Sequence, residues 1–213
     1  MRALTISSSD PLSHGEKISS LSPSASNRDN GLSQLIDERS WDDVLLRLMT
    51  HPQEASERIV RFGSGQSLPL HEACMLQAPA NVVSALLAVN SEAANTKGQW
   101  SYLPIHFAAR SNSGEAVAAL QEWFPEGVRS KGDKAKLPIH LACQWRASSE
   151  IVHRFLMEFP ESIYERDDDG KIPLDYAERN KVQKLKSEVI AVLECGPAYC
   201  AVSRAGKSDL IHL

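Results

Sequence analysis

The sequence predicts an all-α protein, a short solenoid of helix–turn–helix units stacked in a row. Three observations predict it. A proline-containing tetrapeptide recurs at a nearly constant spacing, an apolar stretch with helical spacing follows each copy, and a turn-rich segment closes each unit. The chain has 213 residues, of which 42% are hydrophobic, so its length and composition suit one short folded array.

The tetrapeptide carries Leu or Ile first, proline second and histidine fourth. Its three copies end at His71, His106 and His140, and a decayed fourth copy ends at Asp175, at spacings of 35, 34 and 35 residues. A fixed period of this size is typical of repeat architectures. Proline suits the first turn of a helix, because its missing N–H would have no partner there. Each copy is therefore predicted to open the first helix of a unit.

A second apolar stretch follows each tetrapeptide after a polar turn. Its apolar residues recur three and four positions apart, which places them on one face of a helix. Each unit then breaks at Ser91, Pro125 or Pro160 and ends in a turn rich in glycine or charge. The predicted apolar faces comprise Val82, Val83, Leu86 and Leu87, then Val117 and Leu120, then Ile151, Val152, Phe155 and Leu156.

The two ends of the array are predicted to cap it, since terminal repeats need a polar outer face. Residues 42–49 are a candidate first helix, and residues 183–193 a last amphipathic helix. Residues 61–66 are interpreted as an enlarged loop. The predicted organisation is a disordered Ser-rich tail over residues 1–34, a repeat domain over 35–195 and a C-terminal tail over 196–213.

The segments LPLHEAC, LPIHFAA and LPIHLAC resemble the signature of the ankyrin-repeat family, T-P-L-H-x-A-A. The resemblance covers roughly residues 40–195. The chain departs from the family by having Leu or Ile in place of the threonine, and by lacking the usual glycines between and after the two helices. The resemblance implies stacked helix pairs with hairpin-like turns along one edge. It also implies that the concave face and the turns bind protein partners.

The three tetrapeptide histidines are predicted to be structural. A catalytic histidine is normally singular, whereas these recur at every period. The resemblance to ankyrin units implies that they hydrogen-bond backbone groups near the turns, which would satisfy a partly buried polar group.

The cysteines carry a weaker alternative. Cys74 and Cys143 each follow a tetrapeptide histidine by three residues, a spacing that could suggest zinc. However, Ala109 occupies the same slot in the middle unit, which indicates a slot for a small residue. Cys195 and Cys200 form an isolated C-x4-C pair. No metal, cofactor or catalytic site is predicted, and the sequence contains no phosphate-binding glycine loop, H-E-x-x-H or G-x-S-x-G motif.

Two surfaces are predicted to bind a partner. The inner helices would present a mixed patch on the concave face, and Arg and Trp are enriched at binding hot spots. The turn tips would run from aromatic to basic to acidic along one edge. Three structural alternatives stay open: Trp100 could pack against the neighbouring hairpin, Trp145 could cover the turn beside Arg146 and pack inside, and the acidic run could be an ordinary solvated turn. The candidate residues are Met75, Arg110 and Trp145 on the helices, and Trp100, Lys131, Lys134, Asp167, Asp168 and Asp169 on the tips.

These features predict a non-enzymatic protein–protein interaction scaffold or adaptor, monomeric in isolation. The alternative is a regulatory subunit that inhibits or recruits an enzyme and is switched through its Ser-rich tail. An enzyme using a reactive cysteine or histidine is the third hypothesis. The net charge of −4 offers no basic surplus for nucleic acid, and no segment approaches the roughly 20 apolar residues of a membrane span. Few cysteines and no secretory signal favour the cytoplasm or nucleus over secretion.

Overall fold

The computed structural model describes residues 31–60, 66–179 and 186–195. Most of these residues are helical, which confirms the predicted all-α class. The α-helices are α1 (Leu32–Asp37), α2 (Trp41–Thr50), α3 (Pro69–Met75), α4 (Ala80–Val89), α5 (Pro104–Ser111), α6 (Gly114–Trp123), α7 (Pro138–Gln144), α8 (Ser149–Glu158), α9 (Pro173–Glu178) and α10 (186–195).

Each tetrapeptide opens a helix, as predicted. Helices α3, α5, α7 and α9 begin at its proline, so the residue without an N–H stands at the first helical position. The second helix of each unit is α4, α6 or α8, and a short 3₁₀ segment follows each of them. These segments are Ser91–Asn95, Pro125–Arg129 and Pro160–Tyr164.

The helices pack in two rows. In the inner row α3 contacts α5, α5 contacts α7, and α7 contacts α9, while in the outer row α2, α4, α6 and α8 pack in succession. The core lies between the rows, and every residue of the predicted apolar faces is buried there, with at most 2% of its surface exposed. The core is therefore assembled between neighbouring helix pairs.

Hydrogen bonds between a side chain of one unit and the backbone of the next also link neighbouring units. The Ser111 hydroxyl donates to the carbonyl of Cys74 at 2.7 Å, one unit away. Ser148 donates its N–H to the Asn112 side chain at 2.8 Å, again across units. These bonds join the C-terminal ends of inner helices and the adjoining turns, so they connect successive units at this edge.

The ends differ in detail from the predicted boundaries. Helix α1 begins at Leu32, inside the segment 1–34 interpreted as tail, and Leu32, Leu35 and Ile36 are all buried. The Glu54 carboxylate secures this helix by accepting the Leu32 N–H at 2.7 Å while it pairs with Arg47. Residues 1–30 and 196–213, which contain the rest of both predicted tails, lie outside the described residues.

The predicted loop over 61–66 needs a correction at Gln66. Strand β1 (Ile59–Val60) pairs antiparallel with β2 (Gln66–Ser67), so Gln66 belongs to a short ladder that narrows the loop. Residues 61–65 lie outside the described residues. A ladder of two residues per strand offers too little alternation to be read from the sequence.

The turns between units are tight hairpins with unusual backbone geometry. In the first, Trp100 and Ser101 have φ of 57° and 55°, and in the second, Lys134 and Ala135 have φ of 53° and 52°. Two successive positive φ values are the geometry of a type I′ turn, which normally favours Asn and Gly. The third turn places only Gly170 at positive φ, 74°. The first two turns thus hold non-glycine residues in a conformation that costs them energy.

We expect Ala135→Gly to stabilise the protein by about 0.5–1 kcal/mol, because glycine adopts positive φ without the steric cost that alanine carries. The gain is reduced by the greater freedom of glycine in the unfolded chain. Urea unfolding followed by circular dichroism measures the difference. Ala118→Gly, in the half-buried middle of α6, is the matched control and should destabilise by about 1 kcal/mol. A loss of stability in Ala135→Gly would contradict the strain assigned to this turn.

Candidate functional site

The three tetrapeptide histidines bridge backbone groups, which confirms their predicted structural role. At Nδ1 each ring accepts the N–H of the residue just before its own helix, at 3.1–3.2 Å. At Nε2 each donates to a carbonyl of the following hairpin, those of Thr96, Lys136 and Glu165, at 2.9–3.3 Å. Both nitrogens of each ring are therefore engaged.

Burial keeps these histidines neutral. It lowers the pKa of His71 to about 4 and that of His106 to about 3, and it also lowers the pKa of His140. A neutral ring can accept at one nitrogen and donate at the other, which is the pattern observed. These rings serve to join each helix to the hairpin beside it.

The cysteines that raised the zinc alternative are buried core residues. Cys74 is 0% and Cys143 2% exposed, and burial raises the pKa of both thiols, that of Cys143 to about 12. Both ring nitrogens of the histidines beside them, His71 and His140, are hydrogen-bonded to backbone groups. Within residues 31–60, 66–179 and 186–195, no group of three His, Cys, Asp or Glu side chains is placed to hold a metal ion. Cys195 is exposed, and Cys200 lies outside the described residues.

Three of the predicted binding residues meet in one stack. The Arg110 guanidinium lies over the ring of Trp145 at 4.4 Å from its centroid and over the ring of Trp100 at 5.4 Å. We call these residues the Trp–Arg–Trp stack. Trp100 is 44% and Trp145 48% exposed, so two indoles and a guanidinium share one solvent-facing site. The sequence predicts Arg110 and Trp145 on the concave face and Trp100 on a turn tip, so residues of two predicted surfaces meet here.

Local structure explains how the stack forms. Trp100 stands at the tip of the first hairpin, where its positive φ turns the side chain back towards α5. Arg110 lies in the last turn of α5, and Trp145 caps the end of α7, the next inner helix. Arg110 and Trp145 lie four and five residues after the tetrapeptide histidines of neighbouring units, and these adjacent repeat positions are the signal of their proximity. The folding back of Trp100 has no such signal.

An aromatic cluster supports the base of the stack. The Trp100 ring lies 6.1 Å from Tyr102 and 6.2 Å from Phe107, centroid to centroid. Tyr102 stacks in turn on the buried His106 at 5.0 Å with an interplanar angle of 12°. Aromatic contacts of this kind contribute about 0.5–1.5 kcal/mol each beyond area burial. The exposed indole of Trp100 is thereby connected through Tyr102 to the buried His106.

Met75, the remaining predicted residue of the inner helices, is half-buried and packs against the core. It lies on α3, next to α5 in the inner row. Met75 therefore borders the surface without joining the stack.

The charged turn tips pair mainly with one another. Lys131 lies 2.9 Å from Glu165, and Lys134 lies 3.5 Å from Asp169, both across neighbouring hairpins. The N–H of Asp168 donates to the Lys134 carbonyl at 3.0 Å. The predicted gradient from basic to acidic is thus largely compensated within the protein.

Asp167 needs a correction, because it lies inside the fold. It is 5% exposed, and its carboxylate accepts the Tyr176 hydroxyl and the N–H groups of Asp169 and Lys171. Burial opposes its charge, yet these hydrogen bonds hold its pKa below the usual range. Asp167 therefore orders the third turn, and of the predicted acidic tip only Asp168 and Asp169 face solvent.

Lys136 belongs to the basic second turn but is not among the predicted binding residues, and it lies inside the fold. It is 9% exposed, yet its ammonium donates to Gln144 at 3.0 Å and lies 4.9 Å from the Tyr176 ring centroid. It belongs to the second hairpin, between α5 and α7. Lys136 lies two residues from Lys134 in a charged turn, and this spacing does not predict that Lys136 is buried.

Comparisons with known proteins identify no relative: no protein-family model and no curated protein matches the chain. Among the helices that the structure describes, none is long and apolar enough to cross a membrane.

Proposed function

We propose that this chain is a binding module of the ankyrin-repeat type, a non-enzymatic scaffold or adaptor that holds a protein partner. The observation that carries the proposal is the Trp–Arg–Trp stack, which gathers three hot-spot side chains on an exposed surface. Trp and Arg dominate binding hot spots because they combine a large contact area with directional polar groups. The resemblance of the tetrapeptides to the ankyrin signature supports the same reading.

The rigidity of the site supports the proposal further. Both indoles are held by Arg110, and Trp100 is held also by the aromatic cluster below it. Side chains ordered before binding lose less conformational entropy when a partner arrives. The buried thiols and doubly hydrogen-bonded histidines offer no activated nucleophile or base, which favours binding over catalysis.

Charge reversal of the stack tests this function. We expect Trp145→Glu combined with Arg110→Glu to abolish capture of partners from a native lysate, since a single hot-spot truncation already costs about 2 kcal/mol or more. Capture is quantified against the intact chain by mass spectrometry. Circular dichroism and urea unfolding must first show that the variant folds.

Trp123 provides the matched control. It is 45% exposed, as Trp145 is, but it stands at the end of the outer helix α6. Trp123→Glu should leave capture unchanged. Equal capture by the intact chain and the stack variant would refute the site, and no capture by any of them would remove the main support for a scaffold. A parallel deletion of residues 1–30, which spares the buried Leu32, tests the alternative of a tail-switched regulatory subunit.

A further inference from the structure

The guanidinium of Arg110 is held in place but lacks an anionic partner. Its central carbon lies over the rings of Trp145 and Trp100. In the part of the chain that the structure describes, no hydrogen bond or ion pair engages its N–H groups. A guanidinium carries five N–H donors in a planar fork that matches a carboxylate. The two rings therefore hold the guanidinium in place, and its N–H donors remain available to a ligand.

The surroundings of this fork are positively charged, although the protein as a whole has a net charge of −4. The two hairpins and inner helices around it, residues 97–112 and 130–146, contain a single acidic residue, Asp133. Their basic residues are Lys97, Arg110, Lys131, Lys134, Lys136 and Arg146.

Only part of this positive charge is compensated. Lys131 and Lys134 pair with Glu165 and Asp169. Lys97 and Lys136 donate to neutral groups, the Lys131 carbonyl and the Gln144 amide. Local charge of one sign around an open fork attracts the opposite charge and orients it before contact.

We propose that the Trp–Arg–Trp stack binds an acidic segment of the partner protein, in which a Glu or Asp carboxylate accepts hydrogen bonds from the Arg110 fork. This inference rests on the proposed function and names the chemistry of its partner. The indoles flanking the fork present apolar edges, so the recognised segment places apolar or aromatic residues next to its carboxylate. Arg146, which is exposed beside Trp145, extends the positive surface for further acidic residues of the segment.

A peptide fits this site better than a nucleic acid does. The net charge of −4 gives the protein no general attraction for a polyanion. Two of the basic residues are already neutralised by acidic neighbours, which lowers the number of phosphates the surface could contact.

The test is selection from a random peptide library displayed on phage, panned on the full-length chain. Counter-selection uses the folded Trp145→Glu, Arg110→Glu variant. The expected result is a set of peptides that depend on the stack and share an Asp or Glu beside an apolar residue. Stack-dependent peptides that are neutral or basic would overturn the acidic chemistry and leave the proposed function standing. An absence of stack-dependent peptides would count against both.

The selected peptide then provides a quantitative probe. Its affinity for Arg110→Gln should fall about tenfold or more, the loss expected for a charge-assisted hydrogen bond. Arg110→Lys should recover only part of this loss, because an ammonium lacks the planar fork. Arg129→Gln is the matched control: Arg129 also lies over an aromatic ring, that of Phe159 at 4.3 Å, but away from the stack. Equal losses in the two Gln variants would overturn the proposal.

Single-stranded oligothymidine serves as the competing probe. It should bind weakly and without dependence on Arg110. Tighter binding than the selected peptide, lost in Arg110→Gln, would overturn the peptide proposal in favour of a nucleic-acid site. Affinity for the acidic peptide should also fall as NaCl rises from about 0.05 to 0.5 M, since the site is open to solvent.

Discussion

Replacing Gly132 with alanine is expected to destabilise the protein by about 2–3 kcal/mol, the upper range for forcing extra volume into a packed site. A Cβ at this position would lie 2.1 Å from Cδ1 and 2.4 Å from Cε1 of the Tyr102 ring. Tyr102 is 7% exposed and stacked on His106, so its ring has little room to move. Glycine is required here because the second hairpin lies directly on an aromatic side chain of the first.

Urea unfolding of Gly132→Ala beside Gly114→Ala measures this effect. Gly114 is the first residue of α6, where the nearest atom to an added Cβ is 3.9 Å away. Alanine there should be neutral or stabilising by up to about 1 kcal/mol, because glycine is a poor helix former. If Gly132→Ala unfolds at the same urea concentration as the intact chain, the close approach of the hairpins is wrong.

A double-mutant cycle identifies the cause. Tyr102→Ala removes the obstructing ring, so adding Gly132→Ala to it should cost much less than Gly132→Ala alone. The same conflict bears on function, because Tyr102 supports the indole of Trp100. If the proposed function holds, Gly132→Ala should also weaken binding of the proposed partner, whereas Gly114→Ala should not.

Acidification from about pH 7 to pH 5 is expected to destabilise the fold by about 2 kcal/mol for each of His71 and His106. Burial lowers their pKa values to about 4 and about 3 in the folded state, against an ordinary value of 6.5. The unfolded chain therefore takes up protons first as the pH falls. The stability contributed by the neutral rings is complete above about pH 6.5 and is lost progressively below it.

The shifted pKa values of the carboxyl groups affect stability outside the range from pH 7 to pH 5. Hydrogen bonds hold the pKa values of Glu54 and Asp167 below their ordinary values of 4.5 and 3.8. Their contribution is therefore lost only below about pH 4.5, outside the range tested. His140, whose pKa burial also lowers, acts in the same direction as the other two histidines.

Urea unfolding at pH 7, 6 and 5 checks this expectation at constant salt. Proton NMR of the folded protein is the control, since the ring signals of His71 and His106 should not titrate between pH 7 and pH 5. A stability that does not change across this range, or rings that protonate without unfolding, would contradict the buried neutral histidines.

Local sequence patterns predicted most of the helical elements. The tetrapeptide places proline at the first helical position and histidine two residues later. The histidine accepts the N–H of the residue just before the helix, so both residues act within one turn. The apolar faces follow from helical periodicity alone. The proximity of Arg110 and Trp145 follows from the repeat, because they lie four and five residues after the tetrapeptide histidines and neighbouring units stack side by side.

Other features depend on the tertiary structure. Trp100 joins the stack because two residues of its turn adopt positive φ, and Trp and Ser are not residues that signal such a turn. Asp167 is buried because Tyr176 and two backbone N–H groups of its own turn surround its carboxylate. The sequence of the third turn indicates an acidic solvated loop and does not predict these hydrogen bonds to Asp167.

The sequence by itself therefore determined the helical class, the period and the structural role of the histidines, since each depends on interactions within a turn or on a repeated spacing. Only the tertiary structure decided which candidate residues form one surface. In that structure a hairpin tip lies against two helix ends, the charged tips pair with one another, and Asp167 is buried. The physical reason is that exposure and charge compensation are properties of neighbours in space, and a turn conformation can move one side chain from one surface to another.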